Sequence, residues 1–275
     1  MSISIQTNRS SLMALDNLRI NTDFQATTIQ RLTSGYRINA SGDDAAGLAV
    51  ANGYRALVSE LNQGIRNAND GLSQLQIVDG GLNNISKMLD RLRTLATQSA
   101  SDTFSGDRAT LDFEFKAIRT EIDRQASNIG LVAGGANAKT VEVYVGGGSS
   151  AANSVVTLDL TATSLVDQGG LGIDTDSLLL KADAGTALDH LTAATKALGT
   201  IQGQVGSSQN KLQYAVNLAS SQSTNISAAE SRIRDADVAA EASNLTKAQV
   251  LAQSSMAALA QANAVPQSVL TLLRQ

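Results

Sequence analysis

The chain has 275 residues, a formal charge of -4 at pH 7, and 43% apolar but only 3% aromatic residues. An acidic balance without clustered Lys and Arg excludes nucleic acid as the natural partner. The absence of cysteine excludes disulfides, thiol catalysis and zinc-cysteine sites. No window of about 18 apolar residues exists, so no membrane span is expected. The opening MSISIQTNRS lacks the basic flank and apolar core of a cleavable secretory signal. The single proline, Pro266, stands close to the C-terminal end, so long uninterrupted helices are permitted almost everywhere.

Steps of three and four residues predict a first helix through Leu15, Leu18, Thr22, Gln25, Ile29, Leu32 and Tyr36. It stops in RLTSGYRINASGDDAAG, where Gly35, Ser41 and Gly42 break the pattern. Asp43 and Asp44 then stand where their carboxylates cap the next helix and favour its dipole. That second helix carries Leu57, Leu61, Ile65, Ala68, Leu72, Leu75, Val78, Leu82, Ile85, Leu89, Leu92 and Ala96. Gly71, Gly80 and Gly81 interrupt it, each costing about 1 kcal/mol against alanine, so packing is expected to override propensity there. A loop at 99–107 leads to a third helix through Leu111, Phe115, Ile118, Ile122 and Ile129, ending in the glycine-rich LVAGGAN.

The segment TVEVYVGGGSSAANSVVTLDL holds the β signal: Val141, Val143 and Val145 alternate with polar residues, as do Val156, Leu158 and Leu160. Two strands alone are marginal, so the hairpin is expected to lie against helices. Residues 188–237 form the longest pattern in the chain. Leu191, Leu198, Val205, Leu212, Ala219, Ile226 and Ile233 recur every seven residues, with a mixed interleaved set from Leu188 and Thr195 onwards. Fifty residues of helix span on the order of 75 Å, which calls for partner helices along its length. Beyond Glu241 only Lys247 and Arg274 are charged, while Leu245, Ala252, Met256, Leu259 and Val269 stay helically spaced. Both ends of the chain therefore offer weakly charged apolar stripes, which read as a surface for other copies.

Three blocks carry a family resemblance: RLTSGYRINASGDDAAGLAV at 31–50, RNANDGLSQLQIVDGGLNNI at 66–85, and SRIRDADVAAEASNLTKAQVLAQSSMAALAQANAVPQSVLTLLR at 231–274. In content and order they resemble bacterial flagellin, in a short form without the variable outer domains. The resemblance implies a mainly α fold: a long-helix coiled-coil or bundle rod with a small β-hairpin and paired N- and C-termini. It implies a discontinuous inner domain, 1–42 with 236–275, and an outer domain, 43–235, of three long helices with the hairpin near 140–160. The function implied is a structural, non-enzymatic subunit that self-assembles into the extracellular flagellar filament after type III export. A hook-filament junction protein, which shares the terminal architecture, is the alternative.

The resemblance also implies partners: other copies of the chain, the flagellar export apparatus and an export chaperone, and junction and cap proteins, with no cofactor, nucleic acid or membrane. Self-assembly residues on the terminal coiled coil are Leu15, Leu18, Ile29 and Leu32 from the first helix. From the last they are Leu245, Met256, Leu259, Val269, Leu270 and Leu273. The termini are expected to fold only when neighbouring subunits bury them. In some flagellins an innate immune receptor reads the segment corresponding to 89–100; here Leu89, Arg91, Leu92 and Leu95 occupy it. Thr94 stands where that motif has glutamate, which argues against recognition. The phenylalanine-asparagine-glycine turn of the family is replaced by IGLVAGGAN.

His190 is the one histidine and lacks convergent ligands in sequence, so it is read as structural. The Gly146–Gly148 run has no following Lys-Ser or Lys-Thr and reads as a hairpin turn rather than a phosphate loop.

Overall fold

The computed structural model describes residues 7–147, 154–159 and 165–273, with side chains described as far as Val265. Five helices and one hairpin follow in the order α1 (Arg9–Ser34), α2 (Ala45–Ala100), α3 (Arg108–Asn128), β1 (Thr140–Tyr144), β2 (Val155–Asp159), α4 (Lys181–Arg234) and α5 (Val238–Leu273). They form two compact units: Met1–Ala56 with Asn225–Gln275, and Leu57–Thr224.

Short polar side chains set the helix ends. The Asn8 side chain accepts from the Ser11 amide at 3.2 Å to open α1. Gly35 closes that helix with φ of 74° and donates its amide to the Arg31 carbonyl, a left-handed cap that favours glycine. Asp44 accepts from the Gly47 amide at 2.8 Å and caps α2 as expected. Asp43 does not cap the helix. Its carboxylate accepts from the Asn39 and Ala40 amides at 3.0 Å each, closing the preceding loop, and those two bonds hold its pKa below the ordinary value. Asp107 opens α3 and Asp237 opens α5 by the same device as Asp44.

In the unit Leu57–Thr224, the expected stripe of α2 is the core. Leu61, Ala68, Leu75, Val78, Leu82, Ile85, Leu89, Leu92 and Ala96 are all buried, with Phe115 and Ile122 of α3 and Leu191, Leu198, Val205 and Leu212 of α4. The four glycines of α2 within this unit divide by role. A methyl at Gly81 would overlap Ile129, and one at Gly64 would overlap the Val145 carbonyl. One at Gly71 would press on Val143 at 3.3 Å and Leu212 at 3.4 Å, whereas Gly80 faces open space. Three glycines thus let the hairpin, α4 and the end of α3 approach closely, and the fourth has no such reason.

The two strands pair antiparallel, with Thr140 opposite Asp159 and Tyr144 opposite Val155, and the ladder extends through the Val145 amide to the Ser154 carbonyl at 2.7 Å. The hairpin lies on α2: Tyr144 donates its hydroxyl to Glu60 at 2.6 Å, and Asn67 donates to the Tyr144 carbonyl. Residues 148–153 of the expected turn, and Leu160, lie outside the described residues.

After α3 the chain turns on Gly130, with φ of 68°, and the Asn137 side chain donates to the Ile129 carbonyl at 2.6 Å. Residues 165–180, which carry no periodic signal, are a pinned loop. Val166, Leu171, Ile173 and Leu178 are buried, and carboxylates of α3 accept from its backbone: Asp123 from the Gln168 amide and Asp112 from the Leu178 amide, both at 2.8 Å. Burial pushes the Asp112 carboxyl up, but Lys116 at 2.6 Å, the Leu178 amide and the Ser177 hydroxyl outweigh it, and the net shift is downward. His190 Nδ1 sits 2.7 Å from Asp176 Oδ1, tying α4 to the same loop.

The helix expected from Leu188 begins seven residues earlier, at Lys181, because buried Ala184 and Ala187 continue its packing face. Its seam also differs in phase. The heptad anchors Leu191, Leu198, Val205, Leu212 and Ala219 are buried as read, but the interleaved positions are Ala187, Ala194, Ile201 and Ser208 rather than Leu188, Thr195, Gln202 and Gln209. Taking four-then-three steps instead of three-then-four moves that column to the other side of the anchors.

Candidate assembly surface

Helices α1 and α5 pair antiparallel within the unit Met1–Ala56 and Asn225–Gln275. The contacts run in opposite chain directions. Asn8 donates to the Ala262 carbonyl at 2.7 Å, Ser11 to Asn263 at 2.9 Å, Asn21 to Ser255 at 2.9 Å, and Arg31 to Glu241 at 3.2 Å. The inward positions of α1 are Ser11, Ala14, Leu18, Asn21, Gln25, Thr28 and Leu32; those of α5 are Glu241, Leu245, Ala248, Ala252, Ser255, Leu259 and Ala262. Only four of these fourteen side chains are large and apolar. Small side chains let two backbones approach closely but remove little apolar area from water, so the seam is weak by the usual measure of buried surface.

Most of the large apolar side chains of the two helices point elsewhere. On α1, Leu12, Met13, Leu15, Ile20, Phe24 and Ile29 are exposed, Met13 at 69% and Ile20 at 53%; on α5, Val238, Val250, Leu251, Met256 and Val265 are exposed. At 100° per residue, Met13, Ile20 and Phe24 form one flank of the α1 seam and Leu15 and Ile29 the other, while Leu12 falls towards the back, between Arg19 and Asp23. Asp16, Arg19 and Asp23 occupy the back, with Arg19 and Asp16 paired at 3.3 Å. Apolar residues on both flanks of a two-helix pair exceed what one partner helix can cover.

The sequence-predicted residues therefore separate into two groups. Leu18, Leu32, Leu245 and Leu259 lie half-buried in the seam, whereas Leu15, Ile29 and Met256 face outwards. The side chains of Val269, Leu270 and Leu273 lie outside the described residues. The phase difference seen in α4 recurs here: Leu18, Gln25 and Leu32 are the shared anchors, and the second column is Ala14, Asn21 and Thr28 rather than Leu15, Thr22 and Ile29. Sequence reasoning missed this because it looked for apolar residues. The pattern of small residues one position earlier was the available signal.

In the segment 89–100, Leu89, Leu92 and Leu95 are core residues at 0–1% exposure, so they are not presented to a receptor. Arg91 is exposed, but its guanidinium already forks onto Glu114 at 2.8 and 2.5 Å. Among the described residues no group of three or more His, Asp or Glu is placed to hold a metal ion, and no helix is long and apolar enough to cross a membrane.

Two family profiles match the chain: one described as the bacterial flagellin N-terminal helical region, over residues 5–130, and one as the C-terminal helical region, over residues 188–273. The chain belongs to the bacterial flagellins. The flagellin of Halalkalibacterium halodurans is 36% identical over 276 residues, covering 98% of this chain and 99% of that one. Flagellin FlaB1 of Treponema pallidum is 35% identical over 260 residues, covering 90% and 91%. A solved structure described as a flagellar hook-associated protein from Vibrio parahaemolyticus shares the fold, with a TM-score of 0.56 at 16% identity over 70% of this chain and all of that one.

At that identity the hook-associated likeness speaks for architecture alone, and the near full-length flagellin relatives support the filament subunit over the junction-protein alternative. As a flagellin the chain is a structural protein and not an enzyme. It is exported and polymerises into the extracellular flagellar filament. The near-complete coverage of short relatives accords with the expected absence of variable outer domains.

Proposed function

We propose that polymerisation of this flagellin acts through the terminal pair, with residues 1–42 and 236–275 as the inner domain and 43–235 as the outer one. The observation that carries this reading is the inversion of the α1·α5 pair: ten of the fourteen side chains that meet inside it are small or polar, and most of the large apolar ones face out. Met13, Ile20 and Phe24 on one flank and Leu15 and Ile29 on the other would each meet a neighbouring copy, a head-to-tail arrangement that propagates instead of closing. Met256, Leu251 and Val265 extend the same surface onto α5. Before assembly these side chains are what an export chaperone would cover on the way to the export apparatus, and at the filament ends what junction and cap proteins would meet.

Ordering the pair only on assembly couples folding to polymerisation. Electron microscopy of purified chain under polymerising conditions tests the reading. The full chain should form filaments, and a chain lacking residues 265–275 should form none while the unit Leu57–Thr224 keeps its thermal transition. Normal filaments from the truncated chain would overturn it.

A further inference from the structure

The α1·α5 pair poses a register problem that its seam does not solve. No hairpin loop joins the two helices; they are linked only through residues 35–237, so the loop length that fixes register in an ordinary antiparallel pair is missing. The seam leucines, Leu18 and Leu32 on one side and Leu245 and Leu259 on the other, are spaced two heptads apart on both helices. Small or polar residues fill the positions between. A slip of one heptad, about 10 Å along the axis, again sets leucine against small residues. The seam hydrogen bonds of Asn8, Ser11 and Asn21 come from part-buried or exposed side chains that water satisfies equally well.

At one end of the pair the structure is of a different kind. Tyr36 and Asp235 form an isolated antiparallel bridge. The Arg37 amide donates to the Arg234 carbonyl at 2.7 Å, and the Ala236 amide to the Gly35 carbonyl at 2.9 Å. The Arg37 guanidinium donates to the Ile233 carbonyl across 196 residues of chain. The Arg234 guanidinium lies 4.1 Å over the centre of the Tyr36 ring, its side chain only 15% exposed, with Glu230 at 4.0 Å. Backbone bonds at a fixed pair of residues admit one alignment, whereas a heptad seam admits several. Arg31 and Glu241 supply a second fixed point about one turn further along, with Glu241 nearly buried and also bonded by Asn244 at 2.7 Å.

We propose that this clasp of residues 35–37 with 234–236, seated by Arg234 on the Tyr36 ring, is the register lock of the terminal pair. Tyr36 and Arg234 are positioning residues in this role. They set which residues of α1 and α5 lie side by side, and so compose the flanks offered to neighbouring copies. The lock rests on the assembly reading for its purpose but not for its test. The chain has no cysteine, so Gln30→Cys with Gln253→Cys gives a unique pair of sites for nitroxide labels, offset along the axis. A trace of doubly labelled chain is co-polymerised with unlabelled chain, and the distance between labels is measured by pulsed electron spin resonance.

The unmodified background should give one distance. Tyr36→Ala with Arg234→Ala should add a population in which one label has moved about 10 Å along the axis, while Tyr36→Phe, which keeps the ring, and Asn21→Ala should retain the single distance. A single unshifted distance in the double variant would overturn the lock, as would a shifted population in Asn21→Ala. Chains that fail to join filaments are read at the same label pair after compaction in ammonium sulfate. Failed polymerisation then bears on the assembly reading, and a shifted distance on the lock.

Discussion

Replacing Met13 and Ile20 by serine is the sharpest perturbation of the assembly surface, because both side chains keep more than half of their surface in water, at 69% and 53%. Fully burying such a side chain is worth roughly 1.5 to 3 kcal/mol. The portion still to be gained on contact with a neighbour is therefore about 1 kcal/mol or somewhat more for each. Together the two substitutions should weaken subunit addition by roughly 2 to 3 kcal/mol. At about 1.4 kcal/mol per factor of ten, the critical concentration for polymerisation should rise roughly 30- to 150-fold. The folded chain should barely notice, since exposed substitutions usually change stability by less than about 0.5 kcal/mol. The assay is pelleting of seeded filaments across a concentration series, with a thermal melt of each chain beside it. An unchanged critical concentration would refute the reasoning, and so would a melt lowered as far as that of a core truncation such as Leu92→Ala.

Gly80→Ala should raise stability by about 1 kcal/mol, because nothing lies within 4 Å of the added methyl and alanine is the better helix former. Gly81→Ala, one residue on, should lower it, because the methyl overlaps Ile129; paired melting curves of opposite sign are the check. The Arg124 guanidinium beside Glu121, with the Gln125 amide, holds the Glu121 carboxyl down to about 2 from an ordinary 4.5. A carboxylate depressed in the folded state supports folding above its unfolded value and loses that support as pH falls through its folded one. The α3 contribution is thus complete above about pH 4.5 and fades towards pH 2. Carboxyl NMR should show that midpoint, and Arg124→Ala should move it upwards.

The long helices were legible because their evidence is local. Heptad anchors such as Leu61, Leu75, Leu82, Leu198 and Leu212 recur within a single helix, and burial of one face is a property of that spacing. Helix ends were legible where a side chain such as Asp44 or a left-handed glycine such as Gly35 acts on its own neighbours. The hairpin was legible for the same reason, through its alternation.

What lay beyond sequence was everything that depends on a partner distant in the chain. The unpatterned stretch 165–180 became a buried strap because α3 carboxylates reach its amides. The second column of each helical seam fell on Ala14, Asn21, Thr28, Ala187 and Ala194, since a closely approaching helix selects the side where residues are small. That choice turned Leu15 and Ile29 outwards, onto the surface proposed for contact with other copies. Periodicity fixes which residues recur on one face of a helix; only the opposing backbone decides which flank of that face is covered, because the free energy of burial belongs to the pair.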